Sequence, residues 1–266
     1  MFANGQDNTL SSLRRLLLIL LVTPALAYLA ACLLLYVFQR SLIYFPPALP
    51  AGVLRATTTL EVPDASLRLS ARPVSGPNAL IYFGGNAEDV SLSLAGFSEA
   101  FPDHAIYMLH YRGYGGSSGT PSEAALESDA QSLFDTVRAE HPSVVVVGRS
   151  LGSGIALHLA TTRSINRLVL VTPYDSIQNL AQRQFPYFPV GLLLKDKFES
   201  WRYAPLVKVP TLLVVAGSDE VIPRDSTEAL FNSFQIGIAT MKIIANVGHN
   251  SISDSPEYMG LLKGIP

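Results

Sequence analysis

The sequence VVVVGRSLGSGIALHLA, residues 144–160, decides the fold of this chain. Four valines form an apolar run typical of a buried strand, and they lead through Gly148-Arg149-Ser150-Leu151-Gly152 into a segment of helical composition. A sharp turn from strand to helix exposes a serine hydroxyl, and the flanking glycines remove side chains that would collide. A helix N-terminus also favours negative charge that develops nearby. The segment therefore predicts Ser150 as a nucleophile.

The pattern G-x-S-x-G is weak evidence by itself, because roughly one chain of this length in ten contains it by chance. A nucleophilic serine in this setting requires an acid and then a histidine later in the chain, each after a strand. Asp219 follows the apolar run 211–216, and His249 follows the run 241–245. We expect His249 to take the proton of Ser150 and Asp219 to orient the imidazole.

Two further polar residues compete with these assignments. Asp175 also ends an apolar run and is a rival acid, although turn chemistry explains it equally well. His158 lies two turns along the helix that starts at Ser150, and we expect it to pack rather than react.

Acyl transfer also needs backbone donors for the oxyanion of the tetrahedral intermediate. One donor is normally the N–H after the nucleophile, here Leu151, and the other comes from the loop after an earlier strand. That loop is Gly84-Gly85-Asn86-Ala87, in which two glycines let the backbone approach closely, so Asn86 is the expected second donor. An ordinary Gly-Asn turn is the alternative interpretation.

Short apolar runs alternate with helical segments along most of the chain. We interpret the runs as strands buried on both faces, in a mostly parallel sheet covered by helices on both sides. An antiparallel pair at 57–62 and 67–72 precedes them. The predicted fold is therefore α/β, with a doubly wound sheet of eight strands. The remaining strands are expected at 79–83, 106–111, 144–147, 168–171, 211–215 and 241–245, and helices at 89–100, 122–139, 151–161, 225–234 and 256–262.

The segment 16–38 carries no charged residue and follows Arg14-Arg15. As a helix it would reach roughly 34 Å, enough to cross a hydrocarbon core of about 30 Å. We predict a cytoplasmic tail at 1–15, a single transmembrane anchor at 16–38, a juxtamembrane linker at 39–50 and one large domain at 51–266. The few basic residues near the span place the domain on the extracytoplasmic, periplasmic side.

A cleaved signal also begins with basic residues and an apolar stretch. Ala25-Leu26-Ala27 matches a signal cleavage site, and Leu29-Ala30-Ala31-Cys32 matches bacterial lipoprotein processing at Cys32. The apolar run continues to Phe38, whereas a processed signal gives way to polar sequence, so an uncleaved anchor is favoured. Beyond it, Tyr44 and Phe45 are expected at headgroup level.

Composition excludes several classes of function. The chain has 19 basic and 21 acidic residues, a net charge of −2 and no basic run, so nucleic acid is not an expected partner. One cysteine excludes a disulfide framework and a multi-cysteine metal site. The chain also lacks G-K-[ST] and H-E-x-x-H motifs, so we expect no cofactor and no metal. Its mean hydropathy of +0.29 suits a protein that lies partly in lipid.

The chain resembles the BEM46-like α/β-hydrolases over residues 42–263. This family is close to eukaryotic membrane-associated hydrolases that include protein depalmitoylases, and its members are often labelled serine aminopeptidase-like. The resemblance lies in ordered blocks: Leu42-Ile43-Tyr44-Phe45-Pro46, Phe83-Gly84-Gly85-Asn86-Ala87, Tyr111-Arg112-Gly113-Tyr114-Gly115-Gly116-Ser117, Gly119-Thr120-Pro121-Ser122-Glu123, the segment 148–154, Gly217-Ser218-Asp219 and Gly248-His249-Asn250.

The resemblance implies an α/β-hydrolase fold. It also implies a Ser-Asp-His triad and an oxyanion donor at Asn86, with the triad on Ser150, Asp219 and His249. The sequence departs from the family at Gly84, where many relatives carry histidine. It departs again at His110, where Asp or Asn commonly precedes the Tyr-Arg-Gly block.

The segment 177–205 is a short, apolar, cap-like insertion. Its stretch 185–194 lines an acyl channel or packs on the sheet, and the sequence favours neither. With an anchor that holds the domain near lipid, we expect a membrane serine hydrolase whose partners are membrane lipid and acyl-ester or thioester substrates, including lipid-linked ones. A serine peptidase on the same triad and a catalytically silent binding protein are the alternatives.

Overall fold

The structure is a computed structural model that describes residues 4–47 and 58–264. Within its first helix, only the backbone is described for residues 4–13 and 17. The predicted boundary between linker and domain at 50–51 and the expected strand start at Thr57 lie outside the described residues.

An eight-stranded sheet forms the centre of the described chain. Its strands are β1 Thr58–Val62, β2 Ala65–Arg72, β3 Asn78–Phe83, β4 Ala105–Leu109, β5 Ser143–Arg149, β6 Arg167–Val171, β7 Thr211–Ala216 and β8 Ala239–Ile244. They lie side by side in the order β1-β2-β4-β3-β5-β6-β7-β8. β2 runs antiparallel to β1 and β4, and the other neighbours are parallel. The predicted fold class, a mostly parallel sheet with an antiparallel start, is confirmed.

Helices cover both faces of this sheet. The α-helices are α1 Asn4–Ile43, α2 Leu94–Ala100, α3 Glu123–Glu140, α4 Leu151–Thr162, α5 Ile177–Gln184, α6 Val190–Leu193, α7 Ser200–Tyr203, α8 Arg224–Ser233 and α9 Pro256–Lys263, with 3₁₀ turns at Val90–Ser93, Ala204–Leu206 and Ile252–Asp254. Side chains of β3 alternate between two apolar cores: Ile81 packs with α3 and α4, and Leu80 packs with α2 and α9. Burial on both faces explains why the strand carries no polar alternation.

The prediction of strands buried on both faces is wrong for β8. This strand forms one edge of the sheet, and Thr240, Lys242 and Ile243 are exposed while Ile244 is buried. Because β8 pairs with only one neighbouring strand, its apolar run is not buried on both faces. A lysine on an edge strand discourages pairing with another chain.

Helix α1 contains a segment, Arg14–Ile43, that is apolar and long enough to cross a membrane. The helix runs to Ile43, so the predicted linker begins as helix rather than as an irregular segment. The side chain of Tyr44, a residue expected at headgroup level, is buried within the protein rather than exposed to lipid or water. Tyr44 is 4% exposed in the apolar core, and its hydroxyl donates to the Asp196 carboxylate at 3.1 Å.

Candidate active site

Ser150 lies on a sharp turn between β5 and α4. Its backbone has φ 49° and ψ −116°, a conformation uncommon for any residue but glycine. A Cβ atom on Gly152 would lie 2.1 Å from the carbonyl oxygen of Phe83, and one on Gly148 would lie 2.4 Å from the carbonyl oxygen of Gly152. Only glycine fits at these two positions, because the first turn of α4 passes so close to the ends of β3 and β5.

A chain of hydrogen bonds joins the three side chains that the sequence singles out. The Oγ atom of Ser150 lies 2.9 Å from Nε2 of His249, and Nδ1 of His249 lies 2.9 Å from Oδ2 of Asp219. An ionised carboxylate only accepts hydrogen bonds, so the proton of the neutral imidazole belongs on Nδ1. Nε2 is then free to accept the hydroxyl proton of Ser150.

Asp219 is held by its own loop as well as by His249. Its Oδ1 atom accepts hydrogen bonds from the backbone N–H groups of Val221 at 2.9 Å and Ile222 at 2.7 Å. Burial alone would raise the pKa of Asp219, but the hydrogen bonds from His249 and from these backbone groups outweigh it, and the pKa lies below its ordinary value. The carboxylate is therefore ionised at neutral pH.

Asp175, the rival acid at the end of β6, takes no part in this chain. It is 6% exposed, and its carboxylate accepts hydrogen bonds from the Ser226 hydroxyl and the Asn179 side-chain amide. Within the described residues it makes no hydrogen bond with His249. Of the two strand-end acids, only Asp219 pairs with the histidine.

Asn86 and Leu151, the expected oxyanion donors, line the same cavity as Ser150. Neither backbone N–H group has an acceptor within residues 4–47 and 58–264. The Asn86 side chain fixes its own loop: Nδ2 donates to the carbonyl of Ile43 at 2.6 Å, and Oδ1 accepts from the N–H of Phe45 at 2.9 Å. The loop expected to hold the oxyanion is thus tied to the end of α1, a link that the sequence did not indicate.

Sequence reasoning missed three charged residues around His249. Arg149 donates to Oε2 of Glu88 at 3.2 Å and to the carbonyl of His249 at 3.2 Å. Glu220 accepts the backbone N–H of His249 at 3.0 Å. Arg149 directly precedes Ser150, and Glu220 directly follows Asp219, so their position beside a predicted site residue was the available signal. The hydrogen bonds of Arg149 and Glu220 hold the loop that carries His249 in place.

Two cavities of different character meet at Ser150. One, of about 440 Å³, is mainly apolar and lies between α1, the cap and the serine. The other, called here the polar cavity, has a volume of about 620 Å³ and a more polar lining than the first, with Glu88, Arg149 and Asn250 in it. Within the cap stretch 185–194, Phe185, Phe188, Val190, Leu193 and Leu194 line the apolar cavity, whereas Tyr187 and Leu192 are exposed. In the described part of the chain, no three His, Cys, Asp or Glu side chains are grouped to hold a metal.

No protein-family model matches this chain. It is 31% identical to the uncharacterized protein Rv2307c of Mycobacterium tuberculosis over 255 residues, which cover 86% of this chain and 87% of the relative. It is 29% identical to the protein bem46 of Schizosaccharomyces pombe over 230 residues, which cover 74% of this chain and 75% of the relative. The chain belongs to the BEM46-like α/β-hydrolase family.

A solved structure agrees with this BEM46-like assignment at the level of the fold. The Pyrococcus furiosus esterase Pf2001 superposes with a TM-score of 0.62 at 14% identity, over 82% of this chain and 95% of that chain. Membership in an α/β-hydrolase family, together with this fold, supports hydrolase activity.

The two residues that depart from the BEM46-like pattern are His110 and Gly84, and both lie outside the hydrogen-bond chain of Ser150, His249 and Asp219. His110 is buried, which lowers its pKa, and its Nε2 atom is 2.8 Å from Oγ of Ser70. Gly84 leaves room for the side chain of Val90, which would lie 2.4 Å from a Cβ atom there. Neither residue contacts the hydrogen-bond chain that starts at Ser150.

Proposed function

We propose that this BEM46-like protein is a membrane-anchored serine hydrolase that cleaves acyl esters or thioesters. The observation that carries the proposal is the hydrogen-bond chain from Ser150 through His249 to Asp219, set beside a mainly apolar cavity. A serine hydroxyl becomes a nucleophile when a neighbouring imidazole takes its proton, and a buried carboxylate stabilises the imidazolium that forms.

The proposed reaction proceeds in two halves. Oγ of Ser150 attacks the acyl carbonyl while Nε2 of His249 takes the hydroxyl proton, and the N–H groups of Asn86 and Leu151 donate to the oxyanion. The tetrahedral intermediate then collapses, His249 protonates the departing alcohol or thiol, and the acyl group remains on the serine. Water attacks this acyl-enzyme with His249 as general base, and the carboxylic acid leaves.

The two cavities favour an amphiphilic substrate. The mainly apolar cavity suits an acyl chain, and the polar cavity with Glu88, Arg149 and Asn250 suits the leaving group. The Pyrococcus furiosus neighbour is an esterase, which is in line with ester chemistry on this fold.

Helix α1 is proposed as a single-pass anchor with the N-terminus in the cytoplasm and the domain on the periplasmic side. Its length and composition are sufficient for a span. Lipoprotein processing at Cys32 is the competing arrangement. Mass spectrometry of the purified protein distinguishes it from an uncleaved anchor, because an uncleaved anchor retains residues 1–31.

Labelling of the membrane fraction with a fluorophosphonate probe tests the reaction. We expect the native chain to be labelled and Ser150→Ala to lose labelling, with ester hydrolysis reduced by about 10⁶-fold, because loss of the nucleophile leaves only binding and the oxyanion donors. Ser132→Ala on α3 is the matched control, since that surface hydroxyl bonds only to the backbone of its own helix. Labelling that persists in Ser150→Ala, or a folded native chain that takes no label, would overturn the proposal.

A further inference from the structure

The second half of α1 packs along the cap rather than standing clear of the domain. Near its middle, the ring of Tyr28 stacks on Phe188 with centroids 5.5 Å apart. Near its end, the side-chain amide of Gln39 donates to the carbonyl of Leu193 at 3.1 Å and accepts the N–H of Lys195 at 2.6 Å. These contacts join two segments far apart in sequence, so the proposed anchor and the cap form one unit.

Helix α1 also supplies one wall of the apolar cavity. Leu35, Gln39, Leu42 and Ile43 line it, and their spacing places them on a single face of the helix. Ser150 lines the same cavity. A helix that serves only as an anchor has no reason to border the site of reaction, whereas here the cavity is incomplete without α1.

The depth of these contacts follows from the length of the helix. A hydrocarbon core of about 30 Å takes about 20 helical residues, so a span that starts at Leu16 crosses the core by about Leu35, and residues 36–38 of the predicted anchor extend past it. Tyr28 then lies about 10 Å below the surface of the core, and the cap residue stacked on it lies at the same depth. Elements that lie in the membrane interface are buried to about this extent.

The surface of the cap agrees with this depth. Tyr187 and Leu192 are 87% and 86% exposed, and lipid would cover such side chains better than water does. Helix α1 carries no charged residue from Leu16 to Gln39, and beyond this segment Lys195 lies 4.0 Å from the ring of Tyr36 and Arg40 pairs with Asp196 at 3.0 Å. Cationic side chains near the end of a span typically lie at the interface.

We propose that the apolar cavity between α1 and the cap is an acyl-chain site that fills from the bilayer, so that the substrate is a membrane-resident acyl ester or thioester. The chain enters between α1 and the cap, the scissile carbonyl reaches Ser150 near the interface, and the leaving group faces the polar cavity. This inference rests on the proposed serine-hydrolase function. In it, α1 is a substrate-binding element as well as an anchor.

Acyl-chain selectivity tests the wall formed by α1. The full chain is reconstituted in lipid vesicles, and kcat/KM is measured for 4-methylumbelliferyl butyrate and palmitate. Leu35→Trp should fill the cavity and lower the palmitate-to-butyrate ratio by about tenfold or more, the scale on which apolar pockets discriminate chain length. Leu34→Trp is the matched control, because Leu34 is 58% exposed on another face of α1 and the ratio should not change.

Leu42→Trp provides a second test on the same wall. Fluorophosphonate labelling of each variant reports whether the site is intact. An unchanged ratio in both wall variants, with labelling intact, would overturn the inference and leave the proposed function standing. A native chain that neither labels nor hydrolyses either ester would overturn the proposed function and the inference with it.

The route of entry is tested by where the palmitate ester is placed. In one arm it is incorporated in the vesicles that carry the protein, and in the other it is incorporated in separate protein-free vesicles. Entry from the bilayer predicts rapid hydrolysis in the first arm and at least about tenfold slower hydrolysis in the second, since an ester with a long acyl chain leaves a membrane slowly. Equal rates would mean that the substrate arrives through water, and the bilayer route would be wrong.

Discussion

Two carboxylates at the ends of neighbouring strands, Asp219 after β7 and Asp175 after β6, have different partners. Asp175 is buried as a whole residue, whereas Asp219 is half-buried with a side chain that is 6% exposed. Asp219 binds the imidazole of His249, whereas Asp175 binds the side chains of Ser226 and Asn179. Parallel strands bring acids to the same edge of a sheet, but the hydrogen-bond partner decides which acid can serve the histidine.

The largest difference between the two acids should appear in activity. Asp219→Asn should lower kcat by about 10⁴-fold, because an amide that donates to Nδ1 favours the wrong imidazole tautomer. Asp175→Asn should retain kcat within about tenfold, since it makes no hydrogen bond with His249. Hydrolysis of 4-methylumbelliferyl butyrate by the two purified variants measures this difference. Equal losses would show that the contrast between the carboxylates has no catalytic meaning.

A smaller and opposite difference is expected in stability. Asp175→Asn should lower the free energy of unfolding by about 1–3 kcal/mol, because the carboxylate accepts two buried hydrogen bonds on separate oxygens and the amide keeps only one acceptor oxygen. Asp225→Asn is the control: this exposed carboxylate pairs with Arg183 at 2.7 Å on the surface, and its loss should change stability little. Thermal unfolding in detergent compares both variants with the native chain. A stability unchanged by Asp175→Asn would contradict a structural role.

The smallest expected effect is a change of stability with pH. The pKa of Asp219 is lowered in the folded state, so its ionised form stabilises the fold above the ordinary carboxyl pKa, and that contribution is lost as pH falls through the lowered value. The native chain should therefore lose its stability advantage over Asp219→Asn as the solution becomes strongly acidic. Unfolding curves at a series of pH values measure the gap between the two chains. A gap that widened toward acid would show that the pKa is raised instead.

The fold, and the meeting of Ser150, Asp219 and His249, could be predicted because each follows from patterns within the sequence itself. The turn that carries Ser150 is contained within one strand and one helix, and the order of acid and histidine after Ser150 needs only the sequence. The same is true of β3, whose continuous apolar run predicts burial on both faces. Where the run belonged to the edge strand β8, the same reasoning gave the wrong burial, since sequence does not reveal which strand lacks a neighbour.

The surroundings of the site could not be predicted because they depend on contacts between distant segments. Tyr44 and Asp196 lie far apart in sequence, and nothing near either one indicates that they meet. The support of the Asn86 loop by the end of α1 has the same character. The two roles of the cap were undecided for the same reason: a run of apolar residues does not say which of them face a cavity.

The backbone of Ser150 has a consequence for how such a chain evolves. A non-glycine residue in a sparsely populated conformation is strained by about 1–3 kcal/mol, whereas glycine adopts positive φ readily. Selection for stability alone would favour glycine at this position, and the proposed role of the hydroxyl as nucleophile opposes that substitution. If Ser150 is the nucleophile, stability and activity make opposite demands on the turn at φ 49°, whereas a chain of this fold that only bound its ligand could carry glycine there.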